Sequence, residues 1–227
     1  MYRMLFGLFL FPLICIGQKE RLISKHLEDY GQDLWEHVRT LQIDGKEVNK
    51  DYKAFPLQIL LKADDKIRIQ GSNETGRFLM GTPGSGFWFQ GRSANYLMRE
   101  VEKAITKNVV TIGSPLAKYQ DQLVYNGLQV VDGDFFHTFM IREDEWAITY
   151  FLDKETLQLI YQEIIVSHEN ETRNLHITYE KYKSHQGLTL PIAIQITTED
   201  FFREWVLERT TIGVPASDDL FLSPQSQ

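Results

Sequence analysis

Asn126-Gly127-Leu128-Gln129-Val130-Val131-Asp132-Gly133-Asp134-Phe135-Phe136-His137-Thr138-Phe139-Met140-Ile141-Arg142 is two β-rich runs separated by an Asp-Gly pair. Branched and aromatic side chains suit a pleated surface, and Asp-Gly suits the backbone of a tight hairpin. The stretch predicts two antiparallel strands, Asn126–Val131 and Asp134–Arg142. The pattern repeats downstream at Trp146–Asp153, Leu159–Val166, Leu175–Tyr182, Ile192–Thr198 and Trp205–Thr211. Between them lie the turns Asp153-Lys154-Glu155-Thr156, Asn170-Glu171-Thr172 and His185-Gln186-Gly187. Upstream, past a helical interlude expected at Ala94–Thr106 and Pro115–Leu123, the strands are Gln42–Val48, Phe55–Leu61, Lys66–Gly71, Gly76–Met80 and Gly86–Gln90.

Short strands with short polar turns mean consecutive antiparallel pairing. About twelve strands without repeats or a linker predict one mainly β (α+β) domain. Its large antiparallel sheet is expected to curve on itself. A two-layer sandwich is the competing architecture. Several strands are apolar on both faces, notably Phe55–Leu61, Phe87-Trp88-Phe89 and Asp134–Ile141. One face can pack on helices; the other calls for a second protein layer or a cavity for an apolar ligand.

A first helix is expected over Lys19–Leu41, where Leu22, His26, Leu27, Tyr30, Leu34, Val38 and Leu41 recur at steps of three and four. Gly31 weakens its middle and marks a place where it can break in two. Ahead of it, Arg3 and the uncharged run Met4–Ile16 have the layout of an export signal, too short to span a bilayer. Cys15 and Gly17 are the small residues of a processing site, so residues 1–17 are read as a leader and 18–227 as the working domain. Ile14 before Cys15 argues against a lipid-bearing cysteine. The processed chain then has no cysteine and relies on its core.

Lys and Arg number 24 against 31 Asp and Glu, a formal charge of −7 that becomes −8 without Arg3. With no basic stripe, nucleic acid is excluded as a partner, as is a basic helix lying on an anionic membrane. The six histidines show no paired metal-ligand spacing, and His26 and His37 read as interfacial side chains. Gly81-Thr82-Pro83-Gly84-Ser85-Gly86 lacks the Lys-Ser/Thr of a phosphate loop and any Gly-x-Ser-x-Gly, so it reads as a hairpin turn. Asp64/Asp65, Asp132/Asp134 and Asp218/Asp219 read as turn residues. Asn73-Glu74-Thr75 and Asn170-Glu171-Thr172 read as chance matches to the glycosylation pattern. No constellation for catalysis or for a cofactor stands out.

The order of segments resembles the LolA-like carriers and sorting proteins of outer-membrane lipoproteins. The likeness runs through Leu27–Trp35 into Leu41–Lys46, then Gly86-Phe87-Trp88, Val124–Asp134, Tyr150–Ile160, Tyr182–Pro191 and the closing Val214–Pro224. The resemblance implies an open half-barrel covered by a few helices, in a monomeric, non-enzymatic carrier; with the leader cut near Gly17-Gln18 it would be periplasmic, with no membrane span afterwards. Its cargo would be lipid or lipoprotein acyl chains, handed on with an inner- or outer-membrane envelope protein as partner. The expected cavity residues are Leu57, Ile59, Leu61, Ile69, Phe78, Phe87, Phe89, Phe136, Ile148, Tyr150 and Ile177. Lys62 stands where the carrier has a basic transfer residue, but Ala63-Asp64-Asp65 follows it in place of the family's Arg-Pro type of step. The alternative is a protein-interaction or sensor module that uses the concave sheet for a peptide or protein.

Overall fold

Twelve antiparallel strands form one sheet in the computed structural model, which describes residues 10–84, 86–91, 96–143, 146–169 and 171–224. Positions 1–9 of the expected leader, the start of the interlude at Ala94, Ser85 and Asn170 lie outside the described residues. Helix α1 (Leu10–Tyr30) and the single-turn α2 (Gln32–Trp35) lead into β1 (Thr40–Asn49). Strands β2 (Ala54–Lys62), β3 (Lys66–Asn73), β4 (Gly76–Pro83) and β5 (Trp88–Gln90) follow as hairpins. Helix α3 (Tyr96–Asn108) and a 3-10 turn (Ala117–Tyr119) connect to β6 (Val124–Val131). The rest are β7 (Asp134–Arg142), β8 (Trp146–Asp153), β9 (Leu159–His168), β10 (Glu171–His185), β11 (Leu188–Thr197) and β12 (Phe202–Ile212).

The order across the sheet is β5-β4-β3-β2-β1-β12-β11-β10-β9-β8-β7-β6. Consecutive pairing therefore fails at one step. β5 and β6, neighbours in sequence, are the two opposite edges, and the segment carrying α3 spans between them. The seam that replaces their pairing joins the first strand to the last, Leu41 with Ile212 through Asn49 with Arg203. The register slips at Asp44/Gly45. A Cβ on Gly45 would fall 2.1 Å from Val206 O, so glycine is what lets the bulged strands approach.

Alternation sorts the side chains into two faces. Leu41, Ile43, Leu57, Ile59, Leu61, Ile67, Ile69 and Met80 in one half meet Phe139, Ile148, Ile164, Leu175, Ile177 and Trp205 in the other, all in the core. The helices lie on this inner face. No second sheet does so among the described residues, so the sandwich is excluded. Much of the outer apolar surface is covered by the chain itself: Trp88 by the C-terminal tail, and Phe136 by Phe151 and Tyr161, the last two stacked at 4.1 Å.

The first helix departs from the expected Lys19–Leu41. Gly31 takes φ 76°, where a Cβ would collide with Gly187 O at 2.1 Å, and it separates α1 from α2. Leu41 belongs to β1, and Leu34 is exposed. The second half of the interlude, Pro115–Leu123, is helical only at Ala117–Tyr119. It is pinned by buried Leu116, Tyr119 and Leu123. The acidic turns behave as turns, with Asp64, Asp65 and Asp132 at positive φ.

His26 fastens α1. Its Nδ1–H donates to Leu157 O at 2.8 Å, because a carbonyl can only accept, which leaves Nε2 to accept from Ser114 Oγ at 2.7 Å. The neutral ring is satisfied, and burial lowers its pKa to about 4. The unfolded chain thus binds a proton that the folded chain refuses between roughly pH 6.5 and 4. Stability is expected to be full above pH 6.5 and to lose about 3 kcal/mol by pH 4 from this group. Urea titrations across that range should show the slope, and His26→Gln should flatten it.

Candidate functional site

Helix α3 covers the inner face, with Leu97, Val101, Ala104 and Ile105 buried against the sheet. Its last carbonyls, which lack partners within the helix, are taken up from below. Gln162 Nε2 donates to Asn108 O (3.2 Å) and the Tyr179 hydroxyl to Val109 O just past the helix (3.1 Å), while Asn108 Nδ2 turns back onto Ala104 O of its own helix (3.0 Å). The Tyr119 hydroxyl completes the cluster by donating to Asn108 Oδ1 at 3.1 Å.

Nearer its middle, α3 is held by charge. Arg203 on β12 forks onto Glu102, with Nη1 3.0 Å from Oε2; Glu102 is buried and Arg203 largely so. Beside them Trp205 Nε1 donates to Glu47 Oε2 at 3.1 Å, and burial raises the Glu47 pKa. These four residues come from α3, β12 and β1, so the helix is latched at the seam of the sheet.

A cleft of about 340 Å³ opens where the cover meets the sheet. Trp35, Val38, Leu61, Ile67, Ile112 and Ala117 give it apolar walls. Charged residues line it as well, and Lys118 and Asp65 pair across it at 3.0 Å.

Of the expected cavity residues, Leu57, Ile59, Leu61, Ile69, Ile148, Tyr150 and Ile177 do share the inner face, and Phe78 joins them at its rim. Phe87 and Phe89 are half-buried against the same core. Phe136 is on the outer face, because the β7 residues that point inward are Phe139 and Ile141. Leu61 borders the cleft, Leu57 and Phe78 line a separate groove of about 1050 Å³, and Ile59, Ile69, Ile148, Tyr150 and Ile177 are packed in the core. Lys62 stands at the cleft's rim, but its ammonium is engaged by Ala216 O (2.8 Å) and Asp218 Oδ1 (2.6 Å). Trp35, Val38, Ile112, Ala117, Glu102 and Arg203 were not expected.

Two polar atoms without a protein partner lie on neighbouring strands in this interior. Tyr150 and Gln162 are register partners on β8 and β9, and the Tyr150 hydroxyl and Gln162 Oε1 are buried without a protein hydrogen-bond partner. Burial pushes the Tyr150 pKa far up, so the group stays protonated. Among the described residues no three His, Cys, Asp or Glu side chains converge as a metal site would require.

The backbone path of the open sheet, with helices on its inner face, matches solved structures. A LolA superfamily protein from Nitrosomonas europaea superimposes with a TM-score of 0.57 at 10% identity, covering 89% of this chain and 98% of that one. The fold is LolA-like. An outer membrane lipoprotein-sorting protein domain from Vibrio parahaemolyticus gives a TM-score of 0.50 at 9% identity, covering 82% of this chain and 89% of that one. No protein-family model and no curated protein matches the sequence. At such identities the LolA-like likeness is one of architecture, and no described helix is long and apolar enough to cross a membrane.

Two pairs of variants test this account of the cover. Glu102→Ala strands a buried guanidinium and should cost about 3–5 kcal/mol in urea unfolding. The double change Glu102→Met with Arg203→Met should recover most of that loss. Tyr179→Phe removes a satisfied bond and should cost about 1 kcal/mol, whereas Tyr150→Phe should cost nothing.

Proposed function

We propose that this chain is a periplasmic carrier that takes up lipid or lipoprotein acyl chains against the inner face of its LolA-like sheet, in traffic toward the outer membrane. The observation that carries this reading is the cleft between α2, the β2–β3 turn and residues 111–118, whose apolar walls are rimmed by charge. It lies at the margin of a cover made of helices and loops, with no second sheet among the described residues. A helix packed by one apolar face and held by an ionic latch and a few hydrogen bonds can lift as a unit, whereas an opposing sheet would have to come apart strand by strand. The likeness to a lipoprotein-sorting domain supports the same reading.

Energetics favour it too. Burying a methylene contributes about 0.8 kcal/mol, so one long acyl chain offers roughly 10 kcal/mol before ordering costs. The Tyr150 hydroxyl and Gln162 Oε1 provide one donor and one acceptor inside for a carbonyl or hydroxyl of the cargo. In this reading residues 1–17 act as the export leader. Cleavage after Gly17 would leave the His26-bearing part of α1 in place, and protein recovered from a periplasmic fraction should have the intact mass of a chain beginning at Gln18. Lys62, tied to the tail at the cleft's rim, would act in transfer only after Asp218 lets go.

The direct test is uptake. Native mass spectrometry of protein purified from membranes should show co-purified lipid, and a fluorescent fatty acid should bind. Ala117→Trp should fill the cleft and reduce binding about tenfold with the melting temperature unchanged. A clean apo mass together with no fatty-acid uptake would sink the proposal.

A further inference from the structure

The outer face of β1–β5 presents its side chains in rows set by the register. Gln42, Leu60, Arg68 and, past Gly81, Trp88 form one row. Arg209, Asp44, Gln58, Gln70, Leu79 and Gln90 form the next. The second row is wired internally: Arg209 and Gln58 both donate to Asp44, and Gln70 donates to Gln58. Those hydrogen bonds hold the Asp44 pKa down and leave a nearly neutral, ordered polar wall.

The tail lies across the first row. Gly213 N–H bonds Thr40 O, and from there the tail is gripped by side chains of the sheet. Thr40 Oγ1 donates to Val214 O, Lys62 to Ala216 O, Arg68 to Leu220 O and Trp88 Nε1 to Phe221 O at 2.7 Å. Lys62 and Lys66 hold the two oxygens of Asp218 at 2.6 and 2.8 Å and lower its pKa to about 2. Phe221 is completely buried, while residues 217–220 are exposed.

This is how a peptide ligand is held: one buried aromatic anchor, a rim of exposed charge pairs, and backbone carbonyls read by side chains. The seat also continues beyond its occupant. A space of about 230 Å³ beside Pro215 and Leu220 shares Gln58 and Gln70 with a groove of about 1050 Å³. Pro56, Leu79 and Arg77 wall that groove, with Leu57 and Phe78 at its inner rim, and no described tail residue lines it. We propose that the outer face of β1–β5 is a docking groove for an extended peptide of a partner protein, carrying an acidic residue three positions before a phenylalanine. The chain's own Asp218–Phe221 turn occupies the seat as an internal mimic. Three features favour an exchangeable occupant over a fixed strap. The tail adds no strand to the sheet, its charged ties are solvent-exposed and weaken with salt, and the groove is longer than the segment filling it. A partner with a second acidic residue would also meet Arg77.

The test uses the full chain and a fluorescein-labelled peptide with the sequence of Val214–Pro224, followed by anisotropy. Phe221→Ala and, separately, Asp218→Asn loosen the tail in cis without touching the groove. Each should raise affinity for the added peptide by about tenfold over the unaltered chain, the scale of one buried anchor. Affinity should fall as salt rises. It should be lost when the peptide's own Asp or Phe is replaced, and when Lys66→Glu and Arg68→Glu are added to the Phe221→Ala chain. If neither loosened chain, shown folded by circular dichroism, binds the peptide, the proposal fails. It fails as well if a scrambled peptide binds equally. Fatty-acid uptake should be unchanged by saturating peptide, so a failure here is distinguishable from a failure of the carrier reading.

Discussion

The seam between β1 and β12 is the constraint on which the rest of the molecule depends. Two meanders, β2–β5 and β6–β11, become one sheet only because the first strand pairs with the last. The bulge at Asp44/Gly45 bends the sheet there, and Leu41, Ile43 and Trp205 gather at the join in the core. The same seam supplies Arg203 for α3 and Glu47 for Trp205, so the cover is anchored where the halves meet. Separate the pair and each half keeps its hairpins but loses the inner surface against which the helices pack.

Strand positions were legible because they rest on local chemistry. Alternating branched residues and turns such as Asp132-Gly133 announce themselves within ten residues, and all twelve strands lie where that pattern predicts. Their order was not legible. A seam between Leu41 and Ile212 is set by long-range packing, for which one sequence carries no local mark. The break at Gly31 was readable from residue type; the end of the helix before Leu41 was not, since Val38 and Leu41 keep a helical spacing while buried in other conformations. On the inner face, β2 and β8 were read in the correct phase and β7 in the wrong one, because Phe135-Phe136 and Phe139 are equally apolar. The cleft walls escaped notice for a different reason: Trp35, Val38, Ile112 and Ala117 come from short or irregular segments with no period. Glu102 did leave a trace, as a charge interrupting the apolar stripe of α3.

The doubly apolar strands have a divided explanation. Inward side chains meet the helices. On the outer side, Trp88 is covered by the tail and Phe136 by its aromatic neighbours. The two faces are therefore finished differently. The inner one is sealed by a large apolar area and one buried ion pair. Part of the outer one is sealed by a short acidic segment whose ties are largely electrostatic. Ionic strength acts strongly on the second and little on the first.

The two edges of the sheet are unequal. β5 is three residues long, while β6 is eight residues without a charge, and Val124 and Val130 on it are 55% and 59% exposed. Beyond the bulge at Tyr125/Gly127, an edge of that kind is a template for another strand. Two chains meeting there would pair β6 with β6 about a twofold axis, and each would then present only its stunted β5 to the outside. Such an encounter is self-terminating: it can end in a pair but offers no surface on which a fibre could grow.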